Sequence, residues 1–362
     1  MAGLREPRRV RHAGGPDHRG RDRIAGCKAL ASRRAIMDDG AVTALRVVVL
    51  ALMILISWSW ATATARPAKP RWQTLPAPPP MPKADAEGSV EVTGARIFYA
   101  VYGKGDPVVL LHGGLGNSAH FGFQLPALID RLQVIAIDSR GQGRSTRGSV
   151  AITYDVMAGD VVAVLDKLAI QRASVVGWSD GGEVALKLGI AYPDRVDRLF
   201  VFGANYDASG SKPRGGPSST FATYTVRCRS DYERLSRGDV PYNALVDALR
   251  PLWRNPTGIT RDQLRSIKAP VMMADGDHDE VIVLDQIQEM ARLIPNGQLK
   301  VFDSASHFAL WQDPVSFNLA MVDFLTAPAP SAAVSATNAA PALAPASPAA
   351  TGDRRTEATE AD

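Results

Sequence analysis

Between residues 108 and 302, short apolar runs alternate with helical patterns, and this alternation limits the possible folds more than any other feature of the 362-residue sequence. Residues 108–111, 134–137, 173–176, 199–202, 271–274 and 299–302 are the strand candidates, most of them flanked by Gly, Asp or Pro. Between them, 154–168 places Met157, Val161, Leu165 and Leu168 at helical spacing, and 281–293 and 314–325 behave likewise. Strands buried on both faces and joined by crossover helices predict an α/β fold, a mainly parallel, doubly wound sheet. In such sheets, functional groups collect at the carboxyl ends of the strands. Two earlier runs, 89–92 and 97–101, predict an antiparallel hairpin at the sheet's edge. Residues 205–265 break the alternation over a length unusual for a structureless loop, which predicts a small helical cap inserted over the sheet.

The ends of the chain read differently. Residues 1–40 hold ten Lys/Arg against five Asp/Glu with no period, as expected of a disordered segment or of sequence upstream of the true start, and Met37 offers an alternative start. Residues 47–56 are apolar throughout, Arg46 precedes them, and Ala63-Thr64-Ala65 has the small side chains that a signal peptidase accepts. Residues 41–65 are therefore read as an export signal, which would put the protein in the periplasm or outside the cell. An uncleaved membrane anchor through 47–65 is the alternative, weakened by Ser57, Ser59, Thr62 and Thr64. Cleavage after Ala65 would remove eleven basic and five acidic residues and leave 30 basic against 32 acidic, so the +4 net charge is no argument for a nucleic-acid partner. Cys27 would leave with the leader, and a lone Cys228 excludes an internal disulfide in the exported chain. The Pro/Ala-rich stretch 66–87 predicts an extended linker, 88–326 the folded domain, and the Ala/Pro-rich 327–362 a disordered tail.

Gly177-Trp178-Ser179-Asp180-Gly181 fits GxSxG and stands where a strand candidate hands over to a helical pattern, the context of a nucleophile elbow. A serine held in so strained a turn leaves no room for side chains two residues away on either side, and glycine relieves both collisions. The competing explanation is a glycine-rich loop with a serine N-cap. A serine hydroxyl needs a base. His12 and His18 lie in the leader, which leaves His112, His120, His278 and His307. His307 is best placed, because it follows the last strand candidate and completes the chain order Ser, acid, His. The orienting acid is sought in 275–280, where Asp275, Asp277, Asp279 and Glu280 compete; Asp279 is preferred and Asp277 is second, because the loop must reach back from the sheet edge toward His307. A metal site would need a second ligand cluster, and the sequence offers none. The oxyanion donors are expected to be the backbone N–H groups of Asp180, at the helix N-terminus, and Gly114, in the loop after an early strand. No cofactor is required.

Taken together, these residues resemble the α/β-hydrolase superfamily across about residues 90–325. The resemblance rests on His112-Gly113-Gly114, the stretch DSRGQGRS at 138–145, GWSDGG at 177–182, GDHDE at 276–280 and Ser306-His307-Phe308, all in family order. It implies the α/β-hydrolase fold, and the family's GxxD pattern, matched by Gly276 to Asp279, favours Asp279 as the acid. Ser306 departs from the glycine that is frequent before the histidine. Ser179 argues against haloalkane dehalogenases and epoxide hydrolases, which carry aspartate there, and Gly141-Gln142-Gly143 reads as a structural turn rather than a phosphate loop. Ser179-Asp180 resembles the valacyclovir-hydrolase and biphenyl-hydrolase-like branch, which implies that Asp180 could bind a substrate ammonium; otherwise it complements the helix dipole.

Trp178, Phe221, Tyr224, Trp253 and Trp311 are the candidates for an apolar substrate pocket, although those in the cap could equally form the cap's own core. The expectation is a serine hydrolase acting on a small-molecule carboxylic ester or lactone. Aminoacyl-ester, amide or carbon–carbon bond hydrolysis at the same site, or ligand binding without catalysis, are the alternatives.

Overall fold

In the computed structural model, which describes residues 39–62, 68–213, 219–236, 240–254 and 258–328, the alternating runs form one eight-stranded sheet. Its strands are β1 (Ala86–Val92), β2 (Ala95–Tyr102), β3 (Asp106–Leu111), β4 (Leu132–Ile137), β5 (Ala173–Trp178), β6 (Val196–Phe202), β7 (Val271–Gly276) and β8 (Gly297–Phe302), in the order β1-β2-β4-β3-β5-β6-β7-β8. β2 runs antiparallel to β1 and to β4, and the other pairs are parallel. The predicted hairpin and all six strand candidates lie within these elements, the last of them, 299–302, in the edge strand β8. The central strands are apolar on both faces because helices cover both. Val108, Leu110, Val134, Ile135, Leu199 and Val201 have no exposed surface, and each such side chain contributes about 1.5–3 kcal/mol of burial.

The α-helices among the described residues are α1 (Asp39–Thr62), α2 (Leu125–Leu128), α3 (Tyr154–Lys167), α4 (Asp180–Ala191), α5 (Thr220–Leu235), α6 (Tyr242–Arg254), α7 (Arg261–Ser266), α8 (Leu284–Leu293), α9 (Ala309–Gln312) and α10 (Pro314–Thr326). α3 starts at Thr153, whose hydroxyl accepts the N–H of Val156, and α7 starts with a capping box between Thr260 and Gln263. The strand order reverses direction at β3, which pairs with β4 on one side and β5 on the other, with Leu111 opposite Gly177. The loops leaving β3 and β5 therefore open side by side, which is where ligands bind in sheets of this kind.

Helices α5 and α6 form the insertion between β6 and β7, and Tyr224, Cys228, Tyr232, Leu245 and Leu249 are buried in it. α7 instead rests on α4 and α8 as part of the body, so the insertion over the sheet ends before it rather than at residue 265. Within the expected linker 66–87, Arg71–Gln73 make a single turn, 74–84 follow with no regular element, and Leu75, Met81 and Ala84 pack against the core.

The chain divides into two units, Met1–Ala68 and Lys69–Asp362. In the first, α1 covers most of the predicted export segment, and Leu45, Leu50 and Leu52 on it are exposed. No helix among the described residues is long and apolar enough to cross a membrane. The expectations for residues 1–38, for a cleavage site at 63–65 and for the tail beyond 328 lie outside the described residues.

Candidate active site

Ser179 sits between β5 and α4 with φ 55° and ψ −124°, a backbone strain that L-residues rarely adopt. The flanking glycines are required by contact. A Cβ on Gly177 would strike the carbonyl oxygen of Gly181, and one on Gly181 would strike that of Leu111. The turn is fixed by the Ser179 N–H, which donates to the Phe202 carbonyl at 2.8 Å, and by its carbonyl, which accepts from Gly182 and Glu183 at 2.7 and 3.1 Å. The Ser179 side chain makes no capping hydrogen bond, so an N-cap does not explain the residue.

The loops after β7 and β8 bring Asp279 to His307. Nδ1 of His307 lies 2.7 Å from Oδ2 of Asp279, and both side chains are 1% exposed. The other Asp279 oxygen accepts the N–H groups of Val281 and Ile282 at 2.6 and 2.7 Å, and Lys212 Nζ donates to the Asp279 carbonyl at 2.6 Å. Burial opposes charge on both partners. For His307 this is outweighed by the charge and hydrogen bond of Asp279, with help from Glu280 and Asp180, and its pKa is raised. For Asp279 burial is outweighed by the charge and hydrogen bond of His307, and its pKa is lowered. Asp275, wholly buried beside Asp279, is pushed well up by burial and then by the Asp279 charge. Asp277, the second candidate for the acid, points elsewhere: it pairs with His278 at 2.7 Å and accepts the Ala305 N–H at 3.1 Å.

His307 is held from several sides. Its carbonyl accepts Trp178 Nε1–H at 3.0 Å, and its N–H donates to Glu280 Oε2 at 3.3 Å. A Cβ on Gly203 would come within 3.0 Å of its ring, so the residue that follows β6 backs the imidazole. Ser179 and His307 line one cavity. No hydrogen bond joins Ser179 Oγ to His307 among the described residues.

The loop after β3 faces the elbow. A Cβ on Gly113 would lie 3.2 Å from Ser179 Cβ, and one on Gly114 would strike Asp180 Oδ2. His112 sits beneath this loop. Burial pushes its pKa down to about 4, so the ring is neutral; Nδ1 lies 2.8 Å from the Gly113 carbonyl and Nε2 accepts the Ser139 N–H at 3.0 Å. The 138–145 stretch is a structural node, as its turn reading implies. Asp138 accepts the N–H groups of Ser118 and Arg144 at 2.7 and 2.8 Å, and Arg140 is buried against Asp160.

The cavity measures about 630 Å³ and includes Trp178, Phe221, Tyr224 and Trp253 in its wall. Trp311 is not part of that wall, contrary to expectation. Its ring is buried behind Trp178 at a centroid distance of 5.2 Å, and its Nε1 donates to the His120 carbonyl at 2.8 Å. The Asp180 carboxylate is engaged by Tyr154 Oη at 3.0 Å and by Trp253 Nε1, 3.1 Å from each oxygen. Trp253 thereby ties the cap to the elbow and Tyr154 ties α3 to it, while Asp180 itself lines the cavity. Sequence reasoning missed Tyr154, Glu183 and Glu280 in the lining. Glu183 was the most accessible of these, because it stands one helical turn after Ser179; burial, then the Asp180 charge, raises its pKa well above the carboxylate range.

The sequence model of the alpha/beta hydrolase family matches residues 108–318. A human protein, serine hydrolase BPHL, is 28% identical over 247 residues, covering 65% of this chain and 85% of its own length. The 2-hydroxymuconate semialdehyde hydrolase of Pseudomonas sp. (strain CF600) is 29% identical over 260 residues, covering 64% and 91%. Among solved structures, Est816, described as an N-acyl homoserine lactone degrading enzyme, superposes with a TM-score of 0.56 at 26% identity, covering 66% of this chain and all of that one. The match spans the sheet from β3 through β8, both loops that meet at Ser179 and the loop of His307, and the chain belongs to the alpha/beta hydrolase family.

Proposed function

We propose that this hydrolase uses Ser179, His307 and Asp279 as a catalytic triad on carboxylic esters or lactones of small, partly apolar molecules. The observation that carries the reading is the buried 2.7 Å His307–Asp279 pair on the same cavity as a serine in a strained strand-to-helix turn. Ser179 Oγ attacks the substrate carbonyl carbon while His307 Nε2 takes its proton. Nδ1–H stays on the Asp279 carboxylate, which stabilises the imidazolium as it forms. The tetrahedral oxyanion is received by the N–H groups of Gly114 and Asp180, and loss of one such donor typically costs about a hundred- to a thousand-fold in rate. Collapse breaks the bond to the leaving oxygen, which takes the proton from His307. A water, deprotonated by the same imidazole, then attacks the acyl carbon; collapse breaks the bond to Ser179 Oγ, which takes the proton back from His307, and the acid is freed. In a lactone the leaving alcohol remains attached to the acyl group.

The aromatic wall supports an apolar acyl or leaving group, and the relatives that cleave a lactone or a semialdehyde extend the range to be tested. The test is turnover of a panel of p-nitrophenyl esters, lactones, aminoacyl esters and vinylogous 1,5-diketones by the wild type and by Ser179→Ala. Ester or lactone turnover that disappears in the variant supports the reading; preference for the diketone panel, or activity that survives the substitution, contradicts it.

We further infer export, on the strength of Arg46, the apolar 47–56 run and the small residues at 63–65. Amino-terminal sequencing of the secreted or periplasmic protein is expected to begin near Arg66. An intact leader in the membrane fraction would contradict this.

A further inference from the structure

We propose that residues 71–79 form a strap that positions His307 for proton transfer and holds cap helix α5 to the same spot, with Arg71 and Gln312 as positioning residues. The proposal rests on the triad reading above, and the strap itself precedes the family match, which begins at residue 108. Arg71 opens the strap in a single turn, Arg71–Gln73, and its guanidinium grips the loop that carries the histidine. Nε donates to the Ser304 carbonyl at 3.2 Å, Nη2 donates to the Asp303 carbonyl, and Nη1 pairs with Asp313 at 2.8 Å, at the start of α10. Ser304 is one of the non-glycine residues with a left-handed backbone, φ 50°. Such strain persists only where the surroundings over-determine it, and Arg71 supplies two of the bonds that do so.

Gln312 makes the second connection. Its Oε1 accepts the N–H of Ser306 at 2.8 Å, and its Nε2 donates to the carbonyls of Trp72 and Thr74 at 3.2 and 2.8 Å and to Ser306 Oγ at 3.0 Å. One 8%-exposed side chain thus ties the strap to the residue immediately before His307. Ser306, the departure from the family's glycine, takes part through its hydroxyl. Trp72 stacks on His278 at 4.7 Å, on the loop that carries Asp279. Farther along, Arg227 of α5 donates to the carbonyls of Pro76 and Leu75, both at 2.9 Å, and its guanidinium lies 5.1 Å from the Trp311 ring centroid. Gly122 admits the strap's Pro79 carbonyl where a Cβ would block it. The strap's carbonyls at Trp72 and Thr74 accept from Gln312 of α9, and those at Leu75 and Pro76 accept from Arg227 of α5, so two separate elements hold it by its backbone. The base loop, the acid loop and the cap share one fastening.

The test uses the full-length protein with Arg71→Ala, Gln312→Ala and Arg71→Lys, its active sites titrated with a fluorophosphonate so that misfolded protein does not count. For Arg71→Ala, kcat per titrated site is expected to fall about 10- to 100-fold, as for a misplaced catalytic group, with KM within about twofold of wild type. Arg71→Lys, or guanidinium added to Arg71→Ala, should restore part of the loss. Amide exchange of residues 303–308 should speed up in the same variants. Unchanged kcat per site and unchanged exchange, with only a lower Tm, would reduce the strap to structural support and overturn the proposal. If the wild type turns over no ester or lactone, the triad reading fails, and the exchange measurement alone decides the strap: protection of 303–308 lost in Arg71→Ala supports it, and protection retained overturns it.

Discussion

Asp279→Asn separates an orienting carboxylate from a merely buried one, and the structure fixes how the new amide must sit. Oδ1 of Asp279 accepts two backbone N–H groups, from Val281 at 2.6 Å and Ile282 at 2.7 Å. An asparagine keeps its carbonyl oxygen there, because its NH2 would face two donors. The NH2 then occupies the Oδ2 position, 2.7 Å from His307 Nδ1. A donor at that place forces Nδ1 to accept and moves the ring proton to Nε2, which can no longer take a proton from Ser179. Loss of the carboxylate also leaves the imidazolium of the transition state uncompensated in a site where both partners are 1% exposed. The wrong tautomer in a triad of this geometry costs about 10⁴-fold in kcat, which corresponds to about 5 kcal/mol of barrier. The substitution changes no volume, so Tm should stay near that of the wild type. Stopped-flow hydrolysis of the best p-nitrophenyl ester reads the acylation rate directly. A loss smaller than about tenfold, in a variant that melts like the wild type, would refute the assigned role.

Because the pKa of His307 is raised above the ordinary 6.5, and the neutral ring is the active base, kcat/KM is expected to fall with decreasing pH through a value above 6.5. Glu280→Gln removes one of the charges that raise it, so the acid limb of the pH profile should move to lower pH; a limb that stays in place or moves up would contradict this. Trp253→Phe removes both Nε1 contacts to the Asp180 carboxylate, a loss worth about 1.5–3 kcal/mol for a charged acceptor, and should lower Tm and raise KM, whereas unchanged values would remove the link between cap and elbow. Gly181→Ala drives a methyl group into the Leu111 carbonyl and should cost about 3 kcal/mol or more of stability in urea unfolding; a neutral outcome would show that the elbow has more room than its geometry allows.

The parts of this molecule that were legible in the sequence are those set by local sterics or by burial on both faces. Strands such as β3 and β4 show as apolar runs because helices cover both sides, and the glycines around Ser179 record collisions with Gly181 and Leu111 that any such turn produces. Choosing among the acids of 275–280 was harder, because Asp277 and Asp279 are two residues apart in one loop and differ only in which partner each reaches. Trp311 was misread because closeness to His307 in sequence does not say which side of the one-turn helix α9 faces the cavity. Glu183 was hidden because a charged side chain is ordinarily solvated, and Glu280, weighed only as an orienting acid, was not placed in the lining for the same reason. The docking of residues 71–79 left no pattern at all: its contacts run from Arg71, Gln312 and Arg227 to backbone carbonyls, which carry no sequence signal.

The central claim is that one hydroxyl, that of Ser179, becomes nucleophilic through His307. Mass spectrometry of the protein treated with a fluorophosphonate measures this most directly. The account predicts a single adduct on the peptide containing Ser179, formed in the wild type and strongly slowed in His307→Ala and Asp279→Asn. An unlabelled Ser179 in a protein that still hydrolyses its substrate, or labelling that is indifferent to His307, would contradict it.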